Sequence, residues 1–271
     1  MGRRILPQEE TAMSFKNLSV MPGAEMICRI TNRDRGVLLL HGFMGSPFEM
    51  KYLAERVADA GYSIYVPRYP GHGTTIEEMS ASDAGDWYRA AREAYLELRS
   101  RCGEVYIAGL SMGALFTVLL SREFDVARIA LLSMPMGLPD RKVYAAPLVK
   151  YFAPIIYHTP EQISALNRGI NNPADRAVHV SYYEGTPVAQ AWELHKTIKR
   201  ARAALKEVKA RTLLVQSYGD ETIPQWSLDY IDKHIGSKEK MILRLERSNH
   251  VVCFDYDKDA VAQAVISFFN S

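Results

Sequence analysis

Short apolar runs bounded by turn-forming residues recur along the chain, at 25–30, 37–40, 62–66, 105–108, 129–132, 212–215 and 241–245. Runs this short and this apolar predict strands covered on both faces. Helical periodicity fills several of the gaps. Met50, Leu53, Ala54 and Val57 form one stripe, and Val261, Ala264, Val265 and Phe268 form another. Trp87, Ala90, Ala91, Ala94, Tyr95 and Leu98 fall at i, i+3, i+4, i+7, i+8 and i+11, one face of a long helix. Strands alternating with helices predict an α/β fold with a mostly parallel central sheet and helices on both faces. In such sheets ligands bind beyond the carboxyl ends of the strands.

One stretch breaks the rhythm. Between Leu132 and Thr212 no core strand is evident, and Pro135, Pro139, Pro147, Pro154, Pro160, Pro173 and Pro187 punctuate the segment. A structureless loop of that length is improbable in a compact domain. We therefore expect residues 135–187 to form a small, mostly helical cap, or lid, inserted into the core. Residues 188–208 then read as one or two helices returning to the sheet. This division leaves a partly ragged N-terminal extension, 1–24, and a core made of 25–134 and 188–271.

Composition narrows the class. A chain of 271 residues, 48% hydrophobic and 24% charged, can bury the core of one large soluble domain. Its net charge of +2 gives no electrostatic case for nucleic acid. The cluster Lys196, Lys199, Arg200, Arg202, Lys206, Lys209 and Arg211 reads as the solvated face of a helix. Cys28, Cys102 and Cys253 form no paired pattern, which predicts reduced thiols and a cytoplasmic protein. No apolar core precedes Met13, so no signal peptide is expected, and no run is long enough for stable membrane insertion. His158, His179, His195 and His234 are too scattered for a metal site, and neither metal nor cofactor is expected.

The most informative segment is Gly109-Leu110-Ser111-Met112-Gly113. It lies between the apolar run 105–108 and a helix-like stretch, 114–120, the context that a nucleophile elbow requires. A serine hydroxyl needs a base within hydrogen-bond reach, and the base needs an orienting carboxylate. In elbows of this kind the acid and then the histidine follow the serine along the chain. Asp220 follows the run at 212–215, and His250 follows the run at 241–245. Glu221 competes with Asp220, but adjacent loop residues rarely aim the same way. An oxyanion would be met by the backbone N–H of Met112, directly after the serine. A second donor would be the N–H of Phe43, in the small-residue loop after the strand at 37–40. His41, in the same loop, is read as structural. Phe43, Met44, Met112, Met134, Met136, Ile223 and Val251 are candidates for an apolar pocket.

These motifs carry a resemblance. His41-Gly42-Phe43, Gly45-Ser46-Pro47, Pro70-Gly71-His72-Gly73, Gly109-Leu110-Ser111-Met112-Gly113, Gly219-Asp220 and Ser248-Asn249-His250 resemble the bacterial carboxylesterase and monoacylglycerol lipase group of the α/β-hydrolase superfamily. The resemblance implies Ser111 as nucleophile, Asp220 as acid, His250 as base, and Phe43 and Met112 as oxyanion donors. It also implies a small-molecule ester with an apolar acyl group as substrate. A thioesterase or an aryl or cinnamoyl esterase would use the same groups, and a non-catalytic ligand-binding module is a rival of another class. Two positions depart from the group. Asn249 replaces the usual glycine, where it is expected to tolerate a left-handed backbone, and Arg211 stands where proline is common.

Overall fold

The computed structural model describes residues 20–139, 141–159, 169–179 and 183–271. All seven apolar runs form strands: β1 (Ile27–Arg29), β2 (Arg35–Leu40), β3 (Ser63–Val66), β4 (Glu104–Leu110), β5 (Arg128–Leu132), β8 (Arg211–Ser217) and β9 (Lys240–Leu245). They join in one sheet of order β1-β3-β2-β4-β5-β8-β9. β1 runs antiparallel to β3, and every other neighbouring pair is parallel.

Strand alternation sorts the core into two layers. Val37 and Leu39 face one side of β2, Leu38 and Leu40 the other. Helices α1 (Phe48–Asp59) and α9 (Lys258–Asn270) cover the first side through Met50, Leu53, Val57, Val261 and Val265. The second side carries α3 (Ala84–Arg101), α4 (Met112–Glu123), α7 (Val188–Ala204) and α8 (Trp226–His234), packed through Trp87, Leu115, Ile198 and Leu228. The short α2 (Ile76–Ser80) precedes α3. α3 starts on a capping box: Asp83 accepts from the Gly85 and Asp86 N–H groups, and Asp86 answers to the Asp83 N–H.

Of the extension expected over 1–24, residues 1–19 lie outside the described residues. The rest is tied down: the Met21 N–H donates to the Gly73 carbonyl at 2.8 Å, and Ala24 is fully buried. Within 135–187, residues 140, 160–168 and 180–182 lie outside the described set. The remainder holds a 3-10 turn (Arg141–Ala145), α5 (Ala146–Val149) and α6 (Pro173–Val178). It also contains strands that the apolar pattern did not predict. β6 (Ile155–Tyr157) and β7 (Gly185–Pro187) pair antiparallel as a separate ribbon. Three residues per strand are too few for a period-two pattern to show, so prolines and aromatics were the visible signal.

Lys196, Lys199, Arg200, Arg202, Lys206 and Lys209 are all exposed on or just after α7, as a solvated face requires. Arg211 pairs with Glu239 at 2.8 Å. Among the described residues no helix is long and apolar enough to cross a membrane, and Cys28, Cys102 and Cys253 are free thiols.

Candidate active site

β4 ends in a sharp turn onto α4, and Ser111 occupies that turn with φ 54° and ψ −115°. A non-glycine residue at positive φ is strained, and such strain gathers at functional sites. Serine at a helix start ordinarily turns its hydroxyl inward to cap the first turn. Ser111 makes no such capping bond, and its side chain lines the adjoining cavity. The flanking glycines make the turn possible. A Cβ on Gly109 would fall 2.3 Å from the Gly113 carbonyl oxygen, and one on Gly113 would fall 2.1 Å from that of Leu40. Helix and strand therefore approach more closely than any side chain would permit. The Met112 N–H sits in the first turn of α4, where amide donors have no acceptor within the helix.

Asp220 follows β8 and is almost fully buried. Its Oδ1 accepts the N–H groups of Thr222 and Ile223 at 2.9 and 3.1 Å, a local turn. Its Oδ2 lies 2.9 Å from His250 Nδ1. A carboxylate can only accept, so Nδ1 carries the proton and the other ring nitrogen, Nε2, keeps a lone pair. Glu221, the neighbouring acid, is exposed. Burial penalises both charges, yet attraction and the shared hydrogen bond prevail on each side. Burial lowers the His250 pKa, but Asp220, with a smaller contribution from Glu49, raises it overall above 6.5. Burial raises the Asp220 pKa, but His250 and the Ile223 and Thr222 amides bring it below 3.8.

The histidine loop is held by side chains that no motif announced. The fully buried Asp255 accepts the Asn249 N–H at 2.7 Å through Oδ2, which also receives the Asn171 N–H at 2.8 Å; its Oδ1 receives that of Asn172. Asn249 is not in the left-handed region, contrary to expectation; among described non-glycine residues only Met44, Ser111 and Ser133 have positive φ. Its amide has another task. Oδ1 accepts the Glu221 N–H at 3.1 Å, tying the acid loop to the histidine loop.

Ser111 and His250 share a cavity of ≈ 310 Å³. Phe43, Met44, Ile223 and Val251 line it as the sequence suggested. Met112, Met134 and Met136 do not: they are buried in the core beside it. Pro135 and Leu138 line the cavity from that loop instead. Other lining residues escaped the sequence reading, chiefly Glu49, His179 and Tyr183. The Tyr183 hydroxyl donates to the Gly71 carbonyl at 2.7 Å and accepts the Gly73 N–H at 2.9 Å, locking the 135–187 segment onto the Pro-Gly-His-Gly loop. His41 and His72 are buried in that neighbourhood, with Nδ1 atoms 2.9 and 3.1 Å from the Gly42 and Pro70 carbonyls. Among the described residues no group of His, Cys, Asp or Glu is arranged to hold a metal ion.

Comparison with known proteins places this geometry in context. The sequence model of the "Alpha/beta hydrolase family" matches residues 37–264. The thermostable monoacylglycerol lipase of Bacillus sp. (strain H-257) is 32% identical over 251 residues, 92% of this chain and 96% of that protein. The carboxylesterase of Bacillus subtilis (strain 168) is 27% identical over 239 residues, 87% of this chain and 92% of its own length. A solved structure described with LipS and LipT, two metagenome-derived lipolytic enzymes, superposes with a TM-score of 0.84 at 33% identity. That match covers 93% of this chain and 99% of the other.

Proposed function

Because this chain belongs to the alpha/beta hydrolase family, we propose that it is a serine carboxylesterase acting on short-to-medium-chain acyl esters or monoacylglycerols through an acyl-enzyme. The observation that carries this reading is the Asp220–His250 hydrogen bond, opening on a cavity shared with a serine at a strained strand-to-helix turn.

In the reaction, His250 Nε2 takes the Ser111 proton as the hydroxyl oxygen attacks the ester carbonyl. The carbonyl oxygen becomes an oxyanion, met by the N–H groups of Met112 and Phe43. The imidazolium returns its proton to the departing alkoxide, and an alcohol leaves. Water then repeats the sequence on the acyl-enzyme and releases the carboxylic acid. Asp220 fixes the ring tautomer and stabilises the imidazolium. The apolar walls formed by Met44, Leu138, Ile170, Leu194, Ile223 and Val251 suit an acyl chain. A volume of ≈ 310 Å³ is at the small end for ligand pockets and favours short-to-medium chains. Leu138, Ile170, His179 and Tyr183 of the inserted segment supply part of that wall, which supports reading the insertion as a lid, and the free thiols accord with a cytoplasmic protein.

The test is a hydrolysis panel: p-nitrophenyl esters of two to twelve carbons, monoacylglycerols, feruloyl esters and acyl-CoAs. Turnover should peak on short-to-medium acyl esters, and Ser111→Ala should lower kcat by at least about 10⁴-fold. Preference for acyl-CoA or feruloyl substrates would move the assignment to a thioesterase or an aryl esterase. Undiminished turnover in Ser111→Ala would end it.

A further inference from the structure

Glu49 is an acid in the wall of an otherwise mainly apolar cavity, and the reaction proposed above gives it no role. It is buried in the first turn of α1, where the helix dipole favours negative charge. A carboxylate in such a place is costly unless it is engaged. Both of its oxygens are engaged. Oε2 accepts the Gly42 N–H at 3.3 Å, and Oε1 lies 3.3 Å from His179 Nε2. The carboxylate also presses on Gly45 so closely that a Cβ there would fall 2.2 Å from Oε2. Glu49 thus touches both ends of the loop 42–45, which carries Phe43 and the positive-φ residue Met44.

His179 comes from the inserted segment. Its ring packs beside two core aromatic rings that touch each other, 6.5 Å from Phe48 and 6.2 Å from Phe254. One carboxylate therefore joins the loop expected to bind the oxyanion to the segment expected to cover the substrate. We infer that Glu49 is a positioning residue that, braced by His179, holds the Gly42–Gly45 loop in its oxyanion-binding form only when the insertion is seated. The inference rests on the esterase reading and makes the oxyanion loop and the lid one mechanical unit.

The charge has a second, separable effect. Among the described residues, the titratable groups that face Glu49 are His179 from the insertion, His250 and Cys253 from the segment after β9, and Tyr69 from the loop after β3. Asp220 is the other acid acting on His250. Removing the Glu49 charge should make His250 less basic, an effect read independently of turnover.

The experiment compares wild type, Glu49→Gln, Glu49→Ala and His179→Gln, each checked for folding by circular dichroism. Initial rates on p-nitrophenyl butyrate give kcat and KM from pH 5.5 to 9, and NMR of labelled histidine follows the His250 ring independently of turnover. Glu49→Ala should lower kcat by about 100-fold with KM changed far less, because a displaced loop costs rate more than binding. Glu49→Gln keeps an oxygen acceptor for Gly42 and should recover about tenfold of that loss, while its His250 titration moves to lower pH. His179→Gln should lose about tenfold in kcat. If Glu49→Ala does not fold, the two milder variants decide. A kcat within twofold of wild type for Glu49→Ala, or for His179→Gln, would overturn the inference. A wild-type protein that hydrolyses no ester would instead overturn the proposed function, with the NMR titration still reading the coupling between Glu49 and His250.

Discussion

At Ser111 a single backbone torsion connects stability and chemistry. Positive φ at a non-glycine residue costs about 1–3 kcal/mol, and here it lifts the hydroxyl away from the helix it would otherwise cap. Ser111→Gly should therefore abolish turnover and yet raise the melting temperature by a few degrees, about 1 kcal/mol of relief. A lower melting temperature in that variant would show that the turn is not strained. The Asp220–His250 pair predicts the pH profile. The free enzyme needs neutral His250, whose pKa is raised, so kcat/KM should reach half its maximum above pH 6.5. Asp220 stays ionised throughout that range, its pKa being lowered. Asp220→Asn should cost about 10⁴-fold in kcat by leaving the imidazole in the wrong tautomer. An acid limb below pH 6.5, or a mild effect of Asp220→Asn, would count against these roles.

Among the elements, the seven strands of the central sheet and the helices α1, α3, α4, α7 and α9 were legible, and the ribbon strands β6 and β7 were not. The inner strands β2, β3, β4, β5 and β8 are buried on both faces over most of their length, so their side chains must be apolar whatever lies nearby, and that requirement is written locally. Ser111, Asp220 and His250 were legible for a related reason: each follows a strand, and strand ends meet on one edge of a parallel sheet. Glu49, His179, Tyr183 and Asp255 left no comparable sign, because each acts on a group distant in the chain. An acid between Phe48 and Met50, four residues after Gly45, was the available hint for Glu49. Met134 and Met136 were misplaced because flexibility suits a core as well as a pocket. The Tyr183 hydroxyl gives this level its own prediction. Tyr183→Phe would strand the buried Gly73 N–H in the Pro-Gly-His-Gly loop, at about 1–3 kcal/mol, while the Gly71 carbonyl keeps the Thr74 hydroxyl. The melting temperature should fall by several degrees, and cleavage within 135–187 by a dilute protease should quicken. Unchanged values for both would mean that the hydroxyl does not hold the insertion down.

For the molecule as a whole, pH acts through histidines of opposite sign. His250 has a raised pKa, so its contribution to stability is complete below 6.5 and fades as pH rises through the folded value. His72 is the reverse. Burial, with a smaller opposing effect from its bond to Pro70, lowers it from 6.5 to about 4, and His41 is lowered too. The unfolded chain binds those protons first, so stability is lost as pH falls from 6.5 towards 4. That interval is equivalent to about 3 kcal/mol for His72 alone. Urea midpoints should therefore drop between pH 7 and pH 5. His72→Asn, which keeps a donor for the Pro70 carbonyl, should flatten the slope; an equal slope in the variant would place the acid sensitivity elsewhere.

The ribbon of β6 and β7 has a consequence for how such a protein could change its diet. Ile155 pairs with Pro187 and Tyr157 with Gly185, and the His158 N–H donates to the Glu184 carbonyl at 2.9 Å. The outgoing and incoming chains are thus clasped at a neck, and beyond it Gly169, Asn171, Asn172, His179 and Tyr183 are bonded to the core, so a change of length between Thr159 and Gly169 is the one the sheet absorbs with little strain, closure entropy growing only slowly with length. Grafting a foreign tip between Thr159 and Gly169, with those anchors kept, should shift chain-length preference on the ester panel while acetate-ester turnover persists.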